Sequence, residues 1–540
     1  MKLRFFLLSS FFLLLFGALG VQLYNLQITK NNYYISRVQA RGDILQEFRE
    51  RRGEILITDR YGNDIQIALN RDFPIVFANP REIIKEGGDP ERVAAQLAPI
   101  IGWEESTLRD ILDNPNSLFR LLVGKASSSV VQAVSDLGIK GIFVRQHQYR
   151  FYPYEHLASQ VLGFVGVNEN TSEPTGLYGV EKIYNETLAQ GSPVRLTLDR
   201  SIQAKAEEML AGLMDRFDAT GGTIIVQDPT SGRLLALANA PHFDPNSYGD
   251  FSVSTFINPA VQYVYEPGSV FKPITMAAGI DLGVITPETE YVDYGSLTLN
   301  GKTIHNARDQ VFGRITMTNV LEHSVNTGAV FAAQQIGREQ FRRYVGLFGF
   351  GDRSNIDLPD EVPGSLRNLE PGRAKDIDFA TASFGQGTSV TPVQLVTAYS
   401  ALANGGLLMR PYLGKDKEPL VVRRVIDKKT AEQVTSMMEK TVEGAGVAVI
   451  SGYRVAGKTG TALIPDFQYG GYSEEMIHTF VGFAPASKPA FTVLIKLDKP
   501  KIGDLAGRTV VPAFRDLAQY LLNYYNIAPD ALSSPAENTL

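Results

Sequence analysis

The alternation of apolar and polar positions divides the chain into three stretches of different character. The first is a run of 25 uncharged residues, Phe5 to Thr29, opening with FFLLSSFFLLLFGALG. A bilayer core takes about 20 apolar residues as a helix, so residues 1–29 are predicted to be a cytoplasmic N-terminus and a transmembrane anchor. Lys2 and Arg4 precede the run without an acid, which predicts that the N-terminus stays inside. The rival is a cleaved signal peptide ending near Ala18 and Gly20. Against it, Val21, Leu23, Leu26 and Ile28 prolong the segment beyond a signal's ~7–15 apolar residues. No second run of this length follows, so a single pass is expected, with residues 30–540 outside the cytoplasm.

The second stretch, residues 30–190, mixes short strand and helix patterns, as an α+β domain would. Ile55–Ile57 and Ile65–Leu69 flank Asp59-Arg60-Tyr61-Gly62-Asn63, which predicts a hairpin. Residues 91–138 carry a helical, amphipathic pattern. A boundary is expected at Gly191–Pro193, where V-R-L-T-L begins.

The third stretch, residues 191–526, starts with a predicted helix at 201–217, with Ile202, Ala206, Met209, Leu210 and Leu213 on one side. GTIIVQ (222–227) and RLLALAN (233–239) predict strands around the turn Asp228-Pro229-Thr230-Ser231-Gly232. Pro267-Gly268 precedes a helix at 269–282. Strands return at Tyr453–Ala462, Thr479–Ala484 and Phe491–Leu497, and a helix over 512–525 closes the domain. Strands at both ends with helices between predict an α/β domain whose sheet joins early and late chain. The Pro-, Ser- and Ala-rich tail, 527–540, is expected to be flexible.

Composition narrows the chemistry. The 540 residues carry 52 basic and 58 acidic side chains, a net charge of −6, which argues against a nucleic-acid partner. Cysteine is absent, which removes disulfides, thiolate metal sites and thiol nucleophiles. The six histidines show no paired metal spacing, so no metal site is expected, and catalysis falls to Ser, Thr, Lys, Asp, Glu or Tyr, or to a bound cofactor. No G-x-G-x-x-G follows a strand, and no phosphate-binding loop motif occurs. Catalysis is left to hydroxyls, amines and carboxylates.

Three patterns supply them. Ser269-Val270-Phe271-Lys272 puts a hydroxyl and an amine one helical turn apart behind Gly268, where free N–H groups can hold an oxyanion. Ser324-Val325-Asn326 can aim a proton-relaying hydroxyl and a bridging amide into one cleft. Lys458-Thr459-Gly460-Thr461 lies in a strand pattern, where a glycine marks close approach by a ligand or another backbone. There, Lys458 would attract a carboxylate and an edge strand could take an extended peptide. Each pattern alone also fits an ordinary cap, loop or strand. Each occurs once, and they follow in this order, 55 and then 134 residues apart.

In that combination the chain resembles the class B penicillin-binding proteins. Glu266-Pro267-Gly268, Gly385-Gln386-Gly387-Thr388, Thr391-Pro392, Ala403–Gly406 and the run from Ala456 to Ala462 are similar to the family. So are Arg52-Gly53-Glu54-Ile55 with Asp59–Gly62, Arg150–Pro153 with Gly163–Gly166, and Gly179-Val180-Glu181. The resemblance implies a pedestal, dimerisation-like domain at 30–190 and a serine β-lactamase-like transpeptidase domain with a mainly antiparallel sheet flanked by helices at 191–526. It implies a peptidoglycan D,D-transpeptidase acting on stem peptides that end in D-Ala-D-Ala, with an amine acceptor and with β-lactams as covalent inhibitors. Ser269 would be the nucleophile and Lys272 its base. Ser324 and Asn326 would relay the proton and hold the donor. Lys458, Thr459, Gly460 and Thr461 would bind its carboxylate, and the N–H groups of Ser269 and Thr461 would form the oxyanion hole.

The same resemblance implies a bacterial cell membrane location and a glycosyltransferase partner of the SEDS class. The Ser324-Val325-Asn326 form and residues 470–483 look more like the division-type branch than the elongation-type branch. The rival enzymes are a serine β-lactamase and a D,D-carboxypeptidase, both of which must hydrolyse the acyl-enzyme quickly. A rival of another class is an assembly scaffold or β-lactam sensor with a vestigial site.

Overall fold

The structure is a computed structural model describing residues 51–167, 174–466 and 469–531. The predicted anchor (1–29) and residues 532–540 of the predicted tail lie outside the described residues. Among the described residues no helix is long and apolar enough to cross a membrane. The described residues divide into two units, one holding residues 51–52 and 69–151, the other residues 53–68 and those described from 152 to 531.

The predicted hairpin is present as strands β1 (Ile55–Thr58) and β2 (Asp64–Ala78). The Asp59 carboxylate makes its turn by accepting the N–H groups of Tyr61 and Asn63, each at 2.8 Å. In the first unit, residues 69–78 of β2 pair antiparallel with strand Ile142–Phe151 and, at their end, with the short strand Arg120–Val123. Helices α1 (Pro90–Ile101), α2 (Glu105–Leu112) and α3 (Ser128–Asp136) contribute Val93, Leu97, Leu108, Leu112 and Val134 to a small core with Val76 and Leu122. The helical pattern expected over 91–138 is therefore interrupted by a strand. Of Arg120–Val123 only Leu122 is buried, and four residues are too few for periodicity to separate strand from helix.

In the second unit, strand Val194–Asp199 runs parallel to β1, Ile55 opposite Val194. Residues 152–190, read from the sequence as part of the N-terminal domain, add Leu157, Val161, Leu162, Phe164, Val180 and Leu188 to the same core as Phe243 and Phe256. Helix α4 (Arg200–Phe217) follows, capped by the Asp199 carboxylate. A five-stranded antiparallel sheet then joins early and late chain. Its strands are β3 (Gly221–Gln227), β4 (Leu234–Ala240), β5 (Ala456–Pro465), β6 (Tyr472–Ala484) and β7 (Phe491–Asp498), in the order β5-β6-β7-β3-β4. Alternation sends Ile224, Val226, Phe480, Val493 and Ile495 into one core, shared with α4 and the C-terminal helix Ala506–Tyr524. Ile225, Leu237, Val481 and Leu494 face the other core, which contains the central helices of the unit.

Two expectations need correction. The last helix begins at Ala506, and Pro512 lies inside it. Its stripe of Ala506, Val510, Phe514, Leu517 and Leu521 is buried, and that burial outweighs the hydrogen bond the proline cannot donate. Residues 527–531 are tied down: Tyr453 Oη donates to the Ile527 carbonyl at 2.6 Å, and Asp530 accepts the Arg454 N–H at 2.8 Å.

Candidate active site

Ser269 sits in a single tight turn, Gly268–Phe271, that runs into helix α5 (Lys272–Asp281). Gly268 has φ +62°, a conformation that disfavours side chains, and donates its N–H to the Gly385 carbonyl at 3.0 Å. The turn carries Ser269 to a part-open position while Lys272 behind it is 0% exposed. α5 is buried along nearly its whole length, and Lys272 is the one charged residue among its buried positions.

Ser324 and Asn326 approach from the opposite side. A short helix, Met317–Glu322, ends just before Ser324, whose φ is +57°. That left-handed residue turns both its carbonyl and its hydroxyl toward α5. Asn326 is not on a loop, as its sequence setting suggested, but opens helix α6 (Asn326–Ile336). Lys272 Nζ lies 2.6 Å from the Ser324 carbonyl, 2.9 Å from Asn326 Oδ1, 3.0 Å from Ser269 Oγ and 3.1 Å from Ser324 Oγ.

Lys458 lies on β5, one of the two edge strands of the sheet, and is 1% exposed. Its Nζ is 3.1 Å from Ser324 Oγ, so one hydroxyl bridges the two lysines. β5 is in regular register with β6 from Ala456 to Leu463, so Gly460 makes no bulge. A Cβ at Gly460 would stand 2.9 Å from the Pro267 carbonyl oxygen and 3.1 Å from a Val270 methyl. The glycine thus admits the backbone of the turn that carries Ser269. Thr461 Oγ1 accepts the Ala506 N–H at 3.2 Å, which ties the strand to the last helix.

Burial, and then the nearby Lys458 charge, push Lys272 well below the ordinary lysine value of 10.5. Burial brings Lys458 down to about 7. The oxygens around Lys272 specify what a neutral amine would do. The Ser324 carbonyl and Asn326 Oδ1 can only accept, and they use both N–H bonds. The lone pair is then left for a hydroxyl, and Ser269 Oγ is in range. The eight residues singled out from the sequence are thus gathered in one place, with Thr459 and Thr461 on the strand beside Lys458. Among the described residues no group of three or more His, Cys, Asp or Glu is arranged to hold a metal ion.

Other side chains support this arrangement without a motif to announce them. Tyr399, fully buried on α7 (Pro392–Ala403), donates its hydroxyl to the Val270 carbonyl at 2.6 Å. Glu266 accepts the Tyr472 hydroxyl at 2.9 Å, and burial pushes its carboxyl above the ordinary value. Both contacts join residues more than a hundred positions apart, so no local pattern could have flagged them.

Comparison with known proteins agrees with this geometry. Residues 222–519 match the penicillin binding protein transpeptidase domain, and residues 40–194 match the penicillin-binding protein dimerisation domain. The chain is 31% identical to stage V sporulation protein D of Bacillus subtilis, over 84% of this chain and 75% of that protein. It is 31% identical to the probable peptidoglycan D,D-transpeptidase PbpC of Pseudomonas aeruginosa, over 99% and 97%. It is 28% identical to peptidoglycan D,D-transpeptidase FtsI of Escherichia coli, over 99% and 94%. Among solved structures, a peptidoglycan synthetase from Bifidobacterium adolescentis superposes with a TM-score of 0.67 at 25% identity, covering 90% of this chain and 98% of that one.

Proposed function

The chain belongs to the class B penicillin-binding proteins and is a peptidoglycan D,D-transpeptidase of cell-wall synthesis, and from that premise we propose that Ser269 is its nucleophile. Ser269 Oγ attacks the penultimate carbonyl of a stem peptide ending in D-Ala-D-Ala, and the terminal D-Ala leaves. Neutral Lys272 takes the serine proton. Ser324 passes a proton to the departing amine, and Asn326 holds Lys272 and the donor peptide. Lys458, Thr459 and Thr461 bind the terminal carboxylate along β5. The N–H groups of Ser269 and Thr461 stabilise the oxyanion. The amine of a second stem peptide then resolves the acyl-enzyme and forms the crosslink.

The observation that carries this reading is the placement of Lys272 Nζ, 3.0 Å from Ser269 Oγ with two obligate acceptors on its other side. A hydrolytic rival needs a base that activates water at the ester. Glu266, the acid nearest Ser269 in sequence, is engaged by Tyr472. Without a positioned base, hydrolysis forgoes about 10²–10⁴-fold, so the penicilloyl-enzyme is expected to last many minutes. The test is to label the chain with penicillin, map the modified residue and follow the label by intact mass. A label on Ser269 that persists, and that Ser269→Ala abolishes, is the expected result. A label elsewhere overturns the assignment, and loss within seconds with steady penicillin hydrolysis makes the protein a β-lactamase.

The surroundings are part of the same proposal. The apolar run 5–29 supports a single-pass protein of the bacterial cell membrane with its catalytic unit outside the cytoplasm. A SEDS-family glycosyltransferase is the proposed partner, through the anchor and residues 30–190. Septal rather than lateral synthesis is supported by the Ser324-Val325-Asn326 form. Recovery of the intact chain in the soluble fraction of cells would overturn the anchor.

A further inference from the structure

Asn326 touches Lys272, and what holds Asn326 is a carboxylate buried behind it. Asp293 ends the strand Glu290–Asp293 and is 1% exposed. No cation pairs with it among the described residues. Its oxygens accept instead the N–H groups of Gly295 at 3.0 Å and Phe312 at 2.8 Å, the Asn306 amide at 3.0 Å, and the Thr327 hydroxyl at 2.7 Å. The Tyr291 hydroxyl is also 2.7 Å away. Burial pushes the Asp293 carboxyl up, but these donors outweigh it and leave the group below its ordinary value.

Two of the donors lead directly to the active site. Thr327 follows Asn326 in the first turn of α6, and no side chain of its own segment caps that helix. Its N–H is instead taken by Asn306 Oδ1 at 3.1 Å. Asn326 Nδ2 donates to the carbonyl of His305, the neighbour of Asn306, at 2.9 Å. The pair Asn326–Thr327 is thus docked on the pair His305–Asn306, and Asp293 grips one residue of each. A carboxylate buried without a counter-charge is costly to desolvate, and here that cost is offset by the hydrogen bonds its neighbours donate. A rigid, charge-assisted anchor does fix orientation.

We propose that Asp293 is a positioning residue for acyl transfer: through Thr327 and Asn306 it sets the first turn of α6, and so the angle at which Asn326 Oδ1 meets Lys272 Nζ. The proposal rests on the Ser269–Lys272 reading above. With Asn326 fixed, the amine cannot rotate, and its lone pair stays on Ser269. With Asn326 free, Lys272 loses an acceptor that favours its ammonium form. Lys458, the charged group facing Lys272 across Ser324, continues to disfavour that form. Deprotonation of Lys272 then occurs at lower pH, but the amine is misdirected.

The test compares Thr327→Val, Thr327→Ser and Asp293→Asn with the unaltered full-length chain. The rate of penicillin acylation is measured across pH, per site that can be titrated to completion, and the label is mapped. Thr327→Val and Asp293→Asn are expected to slow acylation by roughly 10- to 100-fold. The acid limb of the profile should move to lower pH, and Thr327→Ser should restore the unaltered rate and profile. Unchanged rates overturn the proposal. So does a loss that follows only the number of titratable sites, with the profile unmoved, and so does failure of all three variants to fold, since each marks a purely structural anchor. If the unaltered chain is labelled away from Ser269, the catalytic reading itself has failed, which the mapping distinguishes.

Discussion

Replacing Lys458 by methionine is expected to make the folded chain more stable while removing the carboxylate contact proposed for it. Burial lowers the Lys458 ammonium from 10.5 to about 7. At neutral pH the folded state therefore either carries a buried charge or gives up a proton that the unfolded chain keeps. That costs roughly 4 kcal/mol. Methionine removes the cost but also the contacts of Nζ with Ser324 Oγ and with Thr459. Those are worth about 1 kcal/mol each, so a net gain of roughly 1–3 kcal/mol should remain. The sign of the pH dependence follows. A base whose folded pKa lies below its unfolded value leaves the unfolded chain holding more protons between the two. Stability then rises with pH from about 7 to about 10.5, and the variant should lose the share of that rise due to Lys458 while keeping the share due to buried Lys272. Urea unfolding of both proteins at several pH values across this window, read by the transition midpoint, checks both parts. A variant that is less stable at pH 7, with the same pH slope as the unaltered chain, would refute the argument that burial dominates at this lysine.

Three further outcomes follow from the same geometry. Lys458→Ala should slow acylation by a carboxylate-bearing β-lactam by about 10- to 100-fold more than by a neutral activated ester; equal losses would assign the residue to tuning Lys272. Gly460→Ala places a methyl 2.9 Å from the Pro267 carbonyl, so rapid-mixing measurements should show acylation slowed by at least ~10-fold while the circular dichroism spectrum is kept. Tyr399→Phe strips the donor from the buried Val270 carbonyl and should cost about 1–3 kcal/mol in urea unfolding, with a slower but intact Ser269 reaction.

What the sequence revealed, and what it concealed, follows the range of the interactions. The β1–β2 turn was legible because Asp59 makes it with neighbours two and four residues away. The sheet was legible because its strands alternate between two buried cores. The gathering of the candidate site was legible because three short motifs hold the residues that meet at Lys272. The strand at Arg120–Val123 was too short to show its period, and Pro512 looked like a helix start because packing against α4 and the sheet is invisible in one segment. Asp293 and Tyr399 reach the site through distant partners, Thr327 and Val270, which no local pattern could announce.

The order of strands in the central sheet has a consequence for how the chain is made. Ile225 pairs with Leu494, and the edge strand carrying Lys458 reaches β3 only through β6 and β7. On the ribosome, hairpin β3–β4 emerges early and waits, with one edge unpaired, while the intervening residues are synthesised. Contacts of such separation form slowly and leave the partial chain exposed to wrong pairings. Until β7 is complete there is no scaffold to bring Lys458 to Ser324. A chain stalled before Phe491 can thus hold Ser269 and Lys272 in sequence and still be blind to penicillin, which makes covalent labelling a report on completed synthesis as well as on catalysis.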